Sequence, residues 1–385
     1  MHKIRICQIV SDLKPSGPAR RVCEIAARLD RKRFEVSVIA LKNGALVELL
    51  KQTSTPVKIL DAKGPFGLCA LGRLVGLVRN FQADIVHTHG FRADLIGRPA
   101  ARLAAVRHLV HTVHDAEGRF RPWQFAYSRF LRGYCDKIIC VSPSVKEYHL
   151  SRSGLPEAIY KTIPSGIDPS DFKPDPEARI RLRKQWGVED SQPVVVYVGR
   201  LDRDTGIETL LSAFSHLAAS GRTMDLVIAG DGSGRHIVEN FIKHGEGGGR
   251  CRLLGFVDDV RAVLSAADIF TTASNSEGHP LSPTEAMAAG LPVVATRTPG
   301  LRDLVIDGVT GLLAPKRDVF GLAERIERLS DDPELCKQLG QYGRERVKAQ
   351  YPVTAMINSL DALYSDIVSK GVARRPQPID VDWDL

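Results

Sequence analysis

Two acids frame the stretch SNSEGHPLSPTEAMAAG: Glu277 and Glu285 lie eight residues apart, with a histidine, two prolines and a serine between them. Paired carboxylates roughly 5–10 Å apart can divide acid and base work on a bond held between them. The spacing also has a bland explanation. Ser282 is placed to cap a helix with Pro283 at its first position, and Glu285, three residues on, completes a capping box. That accounts for Glu285. It leaves Glu277, in the loop before the helix, unexplained.

Other groups could hold an anion or meet a substrate. DIVHTHG and HTVHDAEG put His87, His89, His111 and His114 near the ends of two predicted strands. A lone strand-end histidine is usually structural; four on two strands raise the odds that one lines a site. Zinc is not expected, because alternate strand residues face opposite ways and the i, i+4 spacing of helical ligands is missing. Gly199 and Arg200 follow the apolar run VVVYV, so a guanidinium is delivered at a strand end. It would suit a pyrophosphate, or a nearby acid in a plain salt bridge. Gly230, Asp231 and Gly232 repeat the strand-then-glycine pattern in LVIAGDGSGR. Gly17, in SDLKPSGPARRV, sits where a strand turns into a helix, which serves either phosphate binding or ordinary packing. The G-x-G-x-x-G fingerprint of dinucleotide binding is absent there.

These residues need strands and helices to hold them. Short β-branched runs are predicted as strands at 4–10, 35–41, 84–87, 108–113, 137–141 and 160–163. The second half has them at 194–198, 224–229, 252–254, 269–272, 292–295 and 311–313. Amphipathic segments, such as 20–29, 71–81, 206–219 and 319–330, fill the gaps. Strand–helix alternation implies parallel sheets covered on both faces. Four prolines between Pro164 and Pro176 mark a connector, because proline fixes its own φ and disfavours helix in the residue before it. The expected architecture is two doubly wound α/β domains, with ligands at the carboxyl ends of the strands and a cleft between the domains as the default site.

Composition sets bounds. The 385 residues suffice for two domains, and 43% apolar with 25% charged residues is ordinary globular usage. No run approaches the roughly 20 apolar residues that span a bilayer, and MHKIRICQIV reads as a first strand, not as a signal peptide. Seven cysteines without C-x-x-C spacing read as buried thiols in a reducing, cytoplasmic setting. Residues 1–190 carry 32 Lys+Arg against 19 Asp+Glu, a net +13, whereas 191–385 carry 21 and 26, a net −5. The basic half faces either something anionic or only solvent. RFRPWQFAYSRFLRGYCDK, with Trp123, Phe125, Tyr127, Phe130 and Tyr134 among its arginines, could lie on a membrane surface or pack as a core helix with a basic face. No nucleic-acid motif accompanies it.

Taken together, SGPARRV, ADIVHTHG, HTVHD, CVSPSV, IPSGIDPSDFKP, VGRLDRDTGIETLL, AGDGSGR, LLGFVDDV and the long segment from SNSEGHPLSPTEAMAAG to VTGLL resemble glycosyltransferase family 4. The similarity covers about residues 4–365, and its E-x7-E signature is the most specific part. It implies the GT-B fold, two facing Rossmann-like domains with an interdomain cleft: residues 1–188 for the acceptor, 189–350 for the nucleotide sugar, a helix at 351–369 crossing back, and a flexible tail at 370–385. It implies transfer of a sugar from a nucleotide-diphosphate donor to a hydroxyl of a glycan or lipid-linked acceptor, with retained anomeric configuration and no metal or other cofactor. By the same resemblance Gly17 approaches the donor phosphates, His114 lies near sugar and acceptor, and Arg200 binds the diphosphate. The backbone at Phe256 and Val257 meets the base, and Glu277 meets the sugar. Gly230, Gly278, His279, Pro280, Leu281 and Ser282 complete the donor-binding set, and Glu285 holds the ribose. Peripheral attachment to the inner face of an anionic membrane is a further expectation.

Four positions depart from the family pattern. Thr205 stands where a lysine usually helps the arginine on the leaving diphosphate, and Arg203 or Arg297 is the expected substitute. Pro18 and Pro280 occupy common glycine positions, and Ser165 replaces an asparagine. The alternatives are a degenerate GT-B protein that binds a nucleotide sugar without turnover, a nucleotide-sugar epimerase, or a hydrolase.

Overall fold

The computed structural model describes residues 3–62, 70–114 and 120–370; the expected flexible tail beyond Lys370 and Asp115 of HTVHD lie outside these described residues. The chain divides into two units, Met1–Ser165 with Val353–Leu385, and Gly166–Pro352.

In the first unit seven parallel strands are β1 (Ile4–Val10), β2 (Phe34–Ala40), β3 (Val57–Ile59), β4 (Ile85–His89), β5 (His108–Val113), β6 (Lys137–Cys140) and β7 (Tyr160–Thr162). Their order is β3-β2-β1-β4-β5-β6-β7, so the chain reverses its direction of travel between β1 and β4. Such a switch point leaves a crevice at the carboxyl ends of the two central strands. The three-residue edge strand β3 is too short to register as a periodic run, and it escaped the sequence reading. The central strands are apolar on both faces because helices cover both. Ile6, Ile85 and Val110 pack on one side with Leu360, Leu363 and Tyr364 of the helix Val353–Ser369. Cys7, Val86 and Leu109 pack on the other side with Leu74 and Ile96.

The second unit repeats the plan with β8 (Val194–Val198), β9 (Asp225–Ala229), β10 (Cys251–Gly255), β11 (Ile269–Thr272), β12 (Val293–Thr296) and β13 (Gly311–Ala314), in the order β10-β9-β8-β11-β12-β13. Its switch point lies between β8 and β11, which pair directly through Ile269 with Val195 and Phe270 with Val196.

The boundary falls after Ser165 instead of at 188/189. The helix Pro176–Trp186 is anchored to the second unit: Arg179 binds Asp268 at 2.7 Å, and Arg183, buried, binds Asp268 at 3.1 Å and the Ala266 carbonyl at 3.2 Å. The last connector proline, Pro176, therefore opens that helix, and the proline run does not close the first domain.

The cysteines among the described residues are free thiols, and burial pushes their pKa values up to about 12, which fits inert packing. No helix among the described residues is long and apolar enough to cross a membrane.

Candidate functional site

The second unit gathers most of the sequence-predicted residues at the carboxyl ends of its strands. Gly199 and Arg200 leave β8, and 273–280 leave β11 beside it. Three glycines let these turns pack. A Cβ on Gly206 would sit 1.9 Å from the Ala273 carbonyl oxygen, and its φ of +69° is left-handed. A Cβ on Gly230 would sit 1.9 Å from the Gly199 oxygen, and one on Gly300 would sit 2.3 Å from the Gly278 oxygen. Close packing, by itself, thus demands Gly230 and Gly300.

The acidic loop is fastened at several points. The Asn275 amide donates to the Asp204 carbonyl (3.0 Å), the Thr296 hydroxyl to the Ser274 carbonyl (2.5 Å), and the Gly300 amide to the Glu277 carbonyl (3.1 Å). Glu277 is half-buried, and its charge, after burial, helps raise the pKa of the neighbouring Tyr197 against the opposing effect of a hydrogen bond to Thr205.

The helix that follows begins earlier than the sequence suggested. It runs Leu281–Ala289 with Pro280 in the capping position and no side-chain cap. Ser282 and Pro283 are its second and third residues, so neither the Ser282 cap nor the capping box with Glu285 forms. Thr284 instead donates its hydroxyl to the Pro280 carbonyl at 2.8 Å. Proline ends the loop at φ −74°, a value that already suits helix entry. Two consequences follow for chemistry. The main-chain N–H groups of Leu281 and Ser282 belong to the first turn, where intrahelical acceptors are lacking. Glu285 lies one turn further in, with only 5% exposure. His279 is buried as well, its ring 4.9 Å from that of Tyr351.

Arg200 is exposed and pairs with Asp202 at 2.8 Å, the acid partner that the plain reading allowed. Thr205 is buried, and its hydroxyl donates to the Asp202 carbonyl at 2.6 Å. It closes the turn and offers no charge. Arg297 is exposed and engaged by Asp307; the Arg203 side chain lies outside the described residues. Phe256 is 55% exposed after Gly255, whose φ is +74°, while Val257 is half-buried against the core.

The first unit has its own polar centre at the β1/β4 switch point. Strand alternation separates the histidines: His87 and His89 face the helix Val353–Ser369, whereas His111 faces Thr88 (2.9 Å) and the buried Asp94–Arg98 ion pair (2.7 Å). His87 shares hydrogen bonds with the Tyr364 hydroxyl through Nδ1 (2.6 Å) and with the Thr112 hydroxyl through Nε2 (2.7 Å). His89 shares one with Gln8 Oε1 (2.6 Å) and a longer one with His114 (3.4 Å). Burial holds the pKa values of His87, His89 and His114 well below the usual histidine range, and the Arg21 charge adds to this. Arg21 is itself buried, with Nη1 on the Ile163 carbonyl (3.0 Å) and Ser165 (3.3 Å), while Nε and Nη2 have no partner among the described residues. Burial lowers its pKa to about 10.

Gln8, Arg21, Thr112 and Tyr364 were missed from sequence. The signal was parity: Gln8 follows Ile6 on one strand face, and Tyr364 is the one aromatic in an otherwise aliphatic helical stripe. Gly17 is the first residue of the helix Gly17–Arg28, with Ser16 as its cap and Pro18 second. A Cβ there would meet nothing within 4 Å, so packing does not explain this glycine. Among the described residues no group of three His, Cys, Asp or Glu side chains could hold a metal ion.

Fold and site together define a two-domain α/β protein of the GT-B class. The family model for glycosyl transferases group 1 matches residues 178–346, and that for glycosyltransferase family 4 matches residues 15–171. The chain belongs to glycosyltransferase family 4 and is a glycosyltransferase. Among its relatives is an Escherichia coli UDP-Gal:alpha-D-GlcNAc-diphosphoundecaprenol alpha-1,3-galactosyltransferase, 25% identical over 95% of this chain and 98% of that protein. A Bacillus anthracis N-acetyl-alpha-D-glucosaminyl L-malate synthase is 26% identical over 79% of this chain and 80% of that one. The Anabaena Alr3699/HepE structure in complex with UDP-glucose superposes with a TM-score of 0.84 at 23% identity, covering 94% of this chain and 100% of that one.

Proposed function

We propose that the protein transfers a sugar from a nucleoside-diphosphate donor to a hydroxyl of a cell-envelope glycan or lipid-linked precursor, retaining the anomeric configuration and using no metal. The observation that carries this reading is the second unit's switch point. One guanidinium and one loop carboxylate follow the carboxyl ends of two paired strands, and that loop leads into a helix start with a buried carboxylate one turn in. Breaking a bond between an anomeric carbon and a diphosphate places charge on the leaving group. Arg200, released from Asp202, and the N–H groups of Leu281 and Ser282 would hold that charge without a cation. Glu277 would meet the sugar as positive charge develops on it. Glu285, deeper in the same helix, would accept hydrogen bonds from the ribose hydroxyls. The backbone at Phe256 and Val257 is the expected floor for the base, and Gly17 leaves room for phosphate on the first unit.

The acceptor side falls to the first unit, through His114. Exposed Trp123, Phe130 and Tyr134 stand among exposed Arg121, Arg129 and Arg132, and Phe130 is 85% exposed. This surface suits peripheral contact with an anionic inner leaflet, where a lipid-linked acceptor would reside.

A thermal-shift panel of UDP, GDP, ADP and their sugars tests the proposal. One base should raise the apparent stability by about 2.7 kcal/mol at a ligand concentration near 100 Kd. No shift with any of them would sink it.

A further inference from the structure

We propose that Tyr364, Gln8 and His89 are positioning residues that set His114 as a neutral imidazole with its hydrogen on Nε2 and its lone pair on Nδ1. The proposal rests on reading His114 as a site residue, and it concerns how that residue is prepared.

A single line of hydrogen bonds runs through the first unit. A neutral imidazole has one donor and one acceptor nitrogen, and a carbonyl oxygen only accepts. Gln8 Oε1 lies 2.6 Å from His89 Nε2, so His89 carries its hydrogen on Nε2. Its Nδ1 is then an acceptor, and His114 Nε2, 3.4 Å away, must be the donor. The acceptor role of His114 falls to Nδ1. The other end of the line agrees in direction. Gln8 Nε2 donates to the Tyr364 hydroxyl at 3.4 Å, which donates to His87 Nδ1 at 2.6 Å, and His87 Nε2 donates to Thr112 Oγ1 at 2.7 Å. Every bond points the same way, from His114 toward His89 and from Gln8 toward Thr112.

Two features keep the rings neutral. His87 and His89 are fully buried, and among the described residues the nearby Arg21 is bonded to a carbonyl and a hydroxyl and to no carboxylate. Charging His89 would also set a hydrogen on its Nδ1 against the hydrogen on His114 Nε2. Tyr364 comes from the helix Val353–Ser369, 277 residues after His87, which gives that helix a chemical as well as a packing role. A neutral His114 with its acceptor on Nδ1 fits a hydroxyl donor on a ligand. It does not fit a general acid.

Nitrogen-15 NMR of the full-length protein, histidine-labelled and without substrate, reads the ring states directly at about pH 7. The His114 signals are those missing from His114→Gln. The expected result is a neutral ring with hydrogen on Nε2. In Tyr364→Phe and in Gln8→Leu, the hydrogen should redistribute between the two nitrogens, and kcat should fall roughly tenfold with donor KM held within about twofold. A cationic His114, hydrogen on Nδ1 (the polarity obtained if the Gln8 amide is turned over), or unchanged His114 signals in both variants would overturn the proposal. The wild-type spectrum decides even if a variant fails to fold. Because no substrate is present, failure here leaves the donor-binding test of the transferase reading standing, and the reverse holds too.

Discussion

Moving from about pH 7.5 to about pH 5.5 should weaken the first unit by about 3 kcal/mol through its buried histidines alone. His87 and His89 are 0% and 1% exposed, and their bonded partners are neutral groups. Burial first, then Arg21 and the neighbouring rings, holds their folded pKa values well below the usual one. In the unfolded chain each titrates near 6.5. The unfolded state therefore binds protons that the folded state refuses. The stability contribution is complete above that value and is lost as the pH falls below it. Each group loses about 1.4 kcal/mol across this window, and two lose about 3 kcal/mol. Half-buried His114 adds a smaller share. The charges facing the cluster are Arg21 from the helix Gly17–Arg28 and, across the sheet, His111 with Asp94 and Arg98; Tyr364 faces it as a neutral phenol. Ordinary carboxylates titrate near pH 4, so the window isolates the histidines. Native-state hydrogen exchange of the β4 and β5 amides, corrected for intrinsic rates, measures the change. Protection that is unchanged, or that rises on acidification, would refute the buried-neutral account.

Three further outcomes are expected. Gly206→Ala forces a Cβ to within 1.9 Å of the Ala273 oxygen at a left-handed φ, and should cost the second unit more than about 2 kcal/mol in a urea titration. Arg200→Met should leave that titration unchanged, since the side chain is exposed, while kcat/KM falls roughly 100-fold from lost charge stabilisation of the leaving group. Thr205→Lys breaks the bond to the Asp202 carbonyl and should cost about 1 kcal/mol and lower turnover; a rise in turnover would mean that the site does want a cation there.

Much of the fold was legible because each central strand is a short β-branched run between helical patterns, and twelve of the thirteen strands fall within two residues of their sequence-read limits. The edge strand β3 was invisible at three residues, and the domain boundary was misplaced because arginine–aspartate anchoring, as of Arg183 to Asp268, leaves no local mark. The placement of Arg200 at a strand end and of the two glutamates around a helix start was legible, because a local motif marks each. Placement was not legible where distant chain segments meet. Nothing near His89 in sequence announces Gln8, and nothing near His87 announces Tyr364. The start of the helix Leu281–Ala289 shows a different limit: serine followed by proline is a capping signal, but Pro280 was already sufficient to begin the helix two residues sooner.

The central claim is that the second unit grips a nucleoside diphosphate with Glu285 on its ribose. Calorimetric titration of the nucleoside diphosphate selected by the thermal panel into wild type and Glu285→Gln tests it most directly. The account predicts a loss of about tenfold or more in affinity for the variant, with its fold intact. Equal affinity in both proteins would contradict it.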